Sequence, residues 1–254
     1  MRATIRPVLP LLGLLTATPA FAQSPDPDAA IRAGRWADAQ LAAGSYADPV
    51  ATKLVTYYRL LAPGAATADE ITDFMMKNPD WPNQALLERR RQEAIAVEPD
   101  QAAALAQCDR NKLTSPQAML HCAEAFANAG RNADAADEAR RAWIEGITTQ
   151  AAETAFLRRW SAAPRPDDQW ARFQNLASRD VTAAARQVPR LDPARRAVAE
   201  VRLAFAHDAP NAEALLAALP AARRDDPGIM LDHARWLRRA DRTADALALW
   251  QRAG

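Results

Sequence analysis

Seven residues, Ala129-Gly130-Arg131-Asn132-Ala133-Asp134-Ala135, return elsewhere with small changes and narrow what the chain can fold into. They recur as Ala33-Gly34-Arg35-Trp36-Ala37-Asp38-Ala39 and as Ala240-Asp241-Arg242-Thr243-Ala244-Asp245-Ala246. A looser version is Ala177-Ser178-Arg179-Asp180-Val181-Thr182-Ala183. Gly or a small polar residue stops one helix, and closely spaced alanines let the next one pack tightly. The unit is helix, turn, helix, and hairpins of this kind bury their apolar faces by stacking on one another.

The rest of the chain agrees with a helical reading. Hydrophobic residues make up 49% of the sequence, enough for a core. Many of them are alanine, the best helix former, and β-branched runs are few. Asp26-Pro27, Asp48-Pro49, Ser115-Pro116, Asp192-Pro193 and Asp226-Pro227 each set a capping oxygen before a proline, which marks a helix start. Thr67-Ala68-Asp69-Glu70 has the form of a capping box. Gly34, Gly44, Gly64, Gly130 and Gly146 fall where helices end. These signals predict helices over 27–33, 36–43, 49–61, 68–77, 83–97, 99–110, 116–129, 132–145, 148–160, 167–177, 181–187, 193–207, 210–218, 227–240 and 243–253.

The hairpins share a core face as well as a turn. Met119, Cys122, Ala123 and Phe126 fall at i, i+3, i+4 and i+7, and Met230, His233, Ala234 and Leu237 do the same 111 residues later. The turns lie 96, 48 and 63 residues apart, so no single period fits, although 96 and 111 are near three units of about 32–37. The expected fold class is all-α, a superhelical solenoid of short antiparallel helix hairpins, tetratricopeptide-like but irregular.

Residues 1–22 read as a cleaved secretory signal. Arg2 and Arg6 precede the apolar run Val8–Leu15, and Ala20-Phe21-Ala22 fits a signal peptidase site. The run is too short to span a bilayer, and no later stretch approaches the roughly 20 apolar residues required. The expected location is the periplasm, with residues 23–254 forming one scaffold domain. Without Arg2 and Arg6 the chain keeps 30 basic against 31 acidic residues, a net charge of −1. A balance this even gives no general attraction to nucleic acid or anionic lipid.

Three further stretches, taken in order, resemble the N-terminal superhelical domain of soluble lytic murein transglycosylases. They are Leu54–Leu61, Asn78-Pro79-Asp80-Trp81-Pro82 and Leu86-Leu87-Glu88-Arg89-Arg90. Asp225-Asp226-Pro227-Gly228 and Arg235-Trp236-Leu237-Arg238-Arg239 are similar to later parts of that domain. The resemblance covers essentially all of residues 23–254. It implies a curved, U-shaped, non-catalytic scaffold preceding a lysozyme-like domain that cleaves peptidoglycan glycan strands to a 1,6-anhydro product. In the family the catalytic Glu is followed by Ser, and none of the ten Glu residues here is. The family's Gly-Leu-Met-Gln and Ala-Tyr-Asn-Ala-Gly type motifs are missing too, so this chain is expected to be inactive alone. The last helix carries Leu247 and Trp250 on one face, whereas a terminal solenoid unit is normally polar on its outer side. The expectation is a chain that is part of, or descended from, a longer one.

No catalytic, cofactor or metal residue is assigned. Cys108 and Cys122 close a loop of about 15 residues that a disulfide would stabilise by about 3 kcal/mol. Yet Cys108 sits near the end of its helix and Cys122 about two turns into the next, which offsets them in an even hairpin. A disulfide and two buried thiols both remain open. His121 beside Cys122 matches no zinc spacing. His207 and His233 are isolated, and His233 takes the same core-facing position as Cys122. Asp167-Asp168 and Asp225-Asp226 sit beside Pro at helix starts and read as caps.

Arg89, Arg90 and Arg91, together with Trp81, form the candidate contact for glycan or for a partner. Solvated helix faces paired with nearby carboxylates are the plainer reading of this and the other arginine clusters. Trp143, Trp160, Trp236 and Trp250 hold helical positions that suit packing between helices. The expected partners are peptidoglycan or a lysozyme-like catalytic domain. The competing expectation is a free-standing periplasmic adaptor that binds other proteins through its concave face.

Overall fold

The computed structural model describes residues 26–110 and 112–253. The signal segment read at 1–22 lies outside them. Among the described residues there are sixteen α-helices, one 3-10 turn and no strand. The fold class is all-α.

The chain divides into two compact units between Arg59 and Leu60. In the first, α1 (Pro27–Arg32), α2 (Trp36–Ala43) and most of α3 (Val50–Leu61) surround a small core of Ala30, Ala39, Ala43 and Val55. Alanine at three of these four positions lets the helix backbones approach closely. Val50, Leu54 and Tyr58, one helical turn apart along α3, remain 40–52% exposed.

In the second unit come α4 (Ala68–Lys77), α5 (Gln84–Ile95), α6 (Gln101–Arg110), α7 (Pro116–Asn128), α8 (Asn132–Glu145) and α9 (Gln150–Trp160). After these are α10 (Pro166–Ala177), α11 (Val181–Gln187), the 3-10 turn Val188–Arg190, α12 (Pro193–Ala206) and α13 (Ala212–Ala218). The last are α14 (Ala221–Arg224), α15 (Pro227–Arg239) and α16 (Thr243–Ala253). The substantial contacts join close neighbours in chain order: α4 with α5, α7 with α8, α8 with α10, α10 with α12, α12 with α15, and α15 with α16. The largest core cluster runs from Ala68 through Met119, Cys122, Phe126 and Trp143 to Phe156.

The caps form as their residues dictate. Asp26, Ser115, Asp192 and Asp226 each accept a backbone N–H of the first helical turn, and the Thr67–Glu70 capping box closes in both directions. Asp48 accepts from Val50 N at 2.8 Å.

The three close copies of the turn share one backbone conformation. Gly34, Gly130 and Asp241 have φ of 67°, 76° and 60°, the left-handed region. The next residue's N–H closes a long bond back into the helix: Arg35 to Ala30 O at 2.9 Å, Arg131 to Phe126 O at 2.8 Å, and Arg242 to Leu237 O at 2.8 Å. This is the Schellman stop. In each copy the arginine then pairs with the aspartate three residues on, Arg35–Asp38, Arg131–Asp134 and Arg242–Asp245. The looser copy differs. No residue from Ala177 to Ala183 has positive φ, and Asp180 instead caps α11 by accepting from Ala183 N. Asp208 (φ 54°) supplies a further stop of the same kind, with Ala209 N bonded to Ala204 O at 2.9 Å.

Cys108 and Cys122 are joined, with Cα atoms 5.6 Å apart. The offset expected for an even hairpin does not keep them apart. Cys122 lies about 9 Å along α7 from its start and Cys108 about 3 Å before the end of α6. The connector of residues 111–115 can span about 17 Å, which lets the two helices slide into register.

Gly228, in the first turn of α15, allows a close approach that a side chain would block. A Cβ there would stand 2.6 Å from the Arg202 guanidinium carbon. Arg202 is buried and donates from Nε to Asp232 at 2.7 Å. Gly228→Ala is expected to destabilise the protein by about 1–3 kcal/mol through overpacking. That outweighs the gain in helix propensity, at most about 1 kcal/mol. Urea denaturation checks it: a variant as stable as the parent would show that Arg202 yields freely.

Candidate functional site

The residues singled out in the sequence do not form one surface. Successive helix positions point about 100° apart, so Arg89, Arg90 and Arg91 on α5 diverge. Arg91 is buried and forks onto Glu88 at 2.9 and 2.6 Å. Arg90 donates to Leu61 O at 2.8 Å and pairs with Glu93 at 2.7 Å. Arg89 stays exposed, 3.7 Å from Glu93. Trp81 is half-buried between α4 and α5, edge-on to Phe74 at 5.3 Å, and its carbonyl accepts from Gln84. It anchors that turn.

Arginine has a use here that the sequence does not announce. Nearly all the basic residues are arginine, the lysines being Lys53, Lys77 and Lys112. Guanidinium groups reach back to carbonyls about thirty residues earlier. Arg90 bonds Leu61 O across 29 positions, Arg141 bonds Leu113 O across 28, Arg172 bonds Trp143 O across 29 and Arg239 bonds Phe205 O across 34. Last-turn and post-helix carbonyls lack partners in their own helix, and these guanidinium groups bond them while tying together segments about thirty residues apart.

The densest such knot is around Arg172, fully buried on α10. Its guanidinium lies over the Trp143 ring at 3.8 Å, and Trp143 stacks on Phe156 at 4.6 Å. It donates to the carbonyls of Trp143 and Ile147, to Gln187 at 3.2 Å, and to Glu153 at 3.1 Å. Burial pushes its pKa down to about 10, against the pull of Glu153, so it remains charged at neutral pH. Arg186 shares the same carboxylate and also bonds the Thr148 carbonyl. Gln169 accepts from the Trp143 indole at 3.0 Å and from Gln187 at 2.7 Å. Everything in this network holds something else, as a structural lock does.

A cavity of about 910 Å³ lies elsewhere, between α13–α14 and α15–α16. Leu216, Ile229, Met230 and Leu249 give it an apolar lining, with Arg224, Asp225 and Arg252 among them. Trp250 is 62% exposed at this groove, and Leu247 on the same helix is 56% exposed. Trp143 is wholly buried and Trp236 half-buried, so the packing role expected of the helical tryptophans does not extend to Trp250. This groove is the candidate functional site.

His233 lines it and stacks on Phe205 at 4.4 Å. Its Nε2 is buried without a hydrogen bond, and Glu213 Oε1 stands 3.8 Å away, beyond bonding distance. Burial holds its pKa below the usual value, and the pull of Glu213 does not overcome this. A histidine kept neutral in the fold binds its proton more readily when unfolded, so stability is full above the unfolded pKa, about 6.5. It falls as pH drops through that value toward the folded one. Urea midpoints between pH 7.5 and 5 are expected to decline, and His233→Phe to flatten that part of the decline. Parallel curves for the two proteins would refute the assignment.

The other candidate residues are dispersed. Asp192 caps α12, which holds its carboxylate below the ordinary range through the Arg195 N–H. Among the described residues no group of three or more His, Cys, Asp or Glu is placed to hold a metal ion. No helix among them is long and apolar enough to cross a membrane. Compared with family models, with curated proteins and with solved structures, the chain matches none.

Proposed function

We propose that this chain is a non-catalytic helical scaffold of the exported, cell-wall type found before the catalytic domain in soluble lytic transglycosylases. Its expected work is positional: the hairpins stack as an irregular tetratricopeptide-like solenoid, and the α13–α16 groove takes a lysozyme-like domain that cleaves peptidoglycan. The observation that supports the scaffold part is the run of arginines, each bonding a backbone carbonyl about thirty residues earlier. A chain that commits its buried charges to holding carbonyls and carboxylates is built for rigidity. The cell-wall part rests on the sequence resemblance.

The mature chain, incubated with peptidoglycan sacculi, is expected to release no anhydromuropeptide; release would sink the non-catalytic reading. A lysozyme-like transglycosylase domain is expected to bind it, and Trp250→Ala to weaken that binding at least about tenfold, as loss of a central aromatic anchor does. One observation supports an adaptor reading as well. Exposed Trp250 and Leu247 beside an apolar groove are equally suited to a protein ligand unconnected with the cell wall. Absence of binding to both sacculi and the lysozyme-like domain would shift the assignment to that reading.

A further inference from the structure

We infer that a second cavity, between the first two turns of α9 and the end of α11 with the segment that follows it, holds an oxyanion: the carboxylate or phosphate group of an organic ligand. The cavity measures about 520 Å³, and its lining includes Gln150, Glu153, Thr154, Leu157, Arg186 and Arg190.

The argument is one of charge and of unused donors. Glu153 Oε1 already accepts from Arg172 at 3.1 Å and from Arg186 at 3.0 Å, and Oε2 accepts from Arg186 at 3.1 Å. That carboxylate is already engaged by both guanidinium groups, with three of its about four acceptor positions taken. The other acid acting on Arg186 is Asp180, whose Oδ1 caps α11. Arg190 completes a set of three guanidinium groups against these two acids. Among the described residues it has no carboxylate within ion-pairing distance, and its one hydrogen bond runs from Nη1 to the Arg186 carbonyl at 2.8 Å. Both Arg186 and Arg190 press on the buried charge of Arg172. A like-charge set beside a low-dielectric interior gains most from an anion brought to its open side. The Nε and Nη2 edge of Arg190 is the planar fork that carboxylate and phosphate groups fit in two places at once.

The size of the cavity and the apolar Leu157 wall fit an anion carried on a larger organic body. This inference goes beyond the scaffold reading and does not depend on it.

Isothermal titration and thermal melts at fixed ionic strength test it, with chloride as the balancing salt. The probes are inorganic phosphate, phenyl phosphate and benzoate. Saturable binding of phenyl phosphate or benzoate is expected, and whichever binds more tightly identifies the phosphoryl or the carboxyl source. Arg190→Gln is expected to weaken binding at least tenfold while melting within a few degrees of the parent, because Arg190 is exposed. Arg223→Gln, on α14, serves as the control and is expected to bind as the parent does. Side-chain nitrogen resonances of Arg190 and Arg186 are expected to move with ligand in the unmodified protein, an answer that needs no variant. Saturation by none of the probes, or equal binding by Arg190→Gln with no movement of those resonances, overturns the proposal. Binding of phosphate matched by chloride, an adventitious ion only, overturns it as well.

Discussion

Glu153→Gln is expected to remove about 3–5 kcal/mol of folding stability, the range seen when one partner of a buried ion pair is deleted. The substitution keeps the shape and removes the carboxylate charge paired with Arg172, which is fully buried, and with Arg186, which is partly so. Glutamine also presents an amide N–H₂ at one of the two oxygen positions, and whichever way it turns a donor faces Arg186. Urea unfolding monitored by circular dichroism measures the loss. Arg172→Met combined with Glu153→Leu is expected to be less destabilised than the two single changes added together, because the charges leave as a pair. A loss below about 1 kcal/mol for Glu153→Gln would show that water enters the network and screens it.

Reducing the Cys108–Cys122 disulfide is expected to cost about 3 kcal/mol, the loop-closure value for a ring of this length. The bonded residues are 14 apart in sequence, and Cys122 lies at the centre of the main core, against Met119, Ala123 and Phe126. Most of the effect comes from the unfolded chain, which gains conformations when the loop opens. Denaturation with and without reductant reads it directly, and Cys108→Ala with Cys122→Ala should give a similar midpoint without reductant. Identical midpoints for oxidised and reduced protein would show that the packing of α6 on α7 already confines the chain. The sequence left this bond open because helix ends alone do not say how far two helices slide past each other. That register exists only once the helices have packed, with Leu113, just before α7, buried in the main core.

Several helix boundaries were legible to within a residue, and for a local reason. Asp-Pro and Ser-Pro pairs act on the amides next to them, so α7, α12 and α15 begin at their prolines as read. The Ala-Gly-Arg turn is equally local: a left-handed residue, a bond back into the preceding turn, and an arginine that reaches its aspartate three positions on. The looser copy also stops one helix at Ala177 and starts the next at Val181, but Ser178 does so without the left-handed conformation of the close copies. The four-residue α14 went unread, being too short to show any period.

The candidate site was much less legible. The spacing of Leu247 and Trp250 places them on one side of α16, but only the arrangement of α13 to α15 decides that Trp250 stays open beside a groove. Arg89, Arg90 and Arg91 looked like a patch because they are adjacent in sequence, and helical geometry scatters adjacent residues. The arginines that matter most for the interior, Arg172 and Arg186, had no sequence signal pointing to their partners. A backbone carbonyl has the same chemistry in every residue, so nothing in the letters marks Trp143, Ile147 or Thr148 as acceptors.

What the sequence determined by itself was the alphabet of the fold: all-helical, short elements, stops and starts in order, and one recurrent turn. These depend on interactions within about five residues, which composition and spacing encode directly. Tertiary structure alone decided which charges are locked into the interior, which cysteines meet, and which aromatic ring is left at the surface. Those outcomes depend on the distances between segments roughly thirty residues apart, and such distances exist only after the helices have packed.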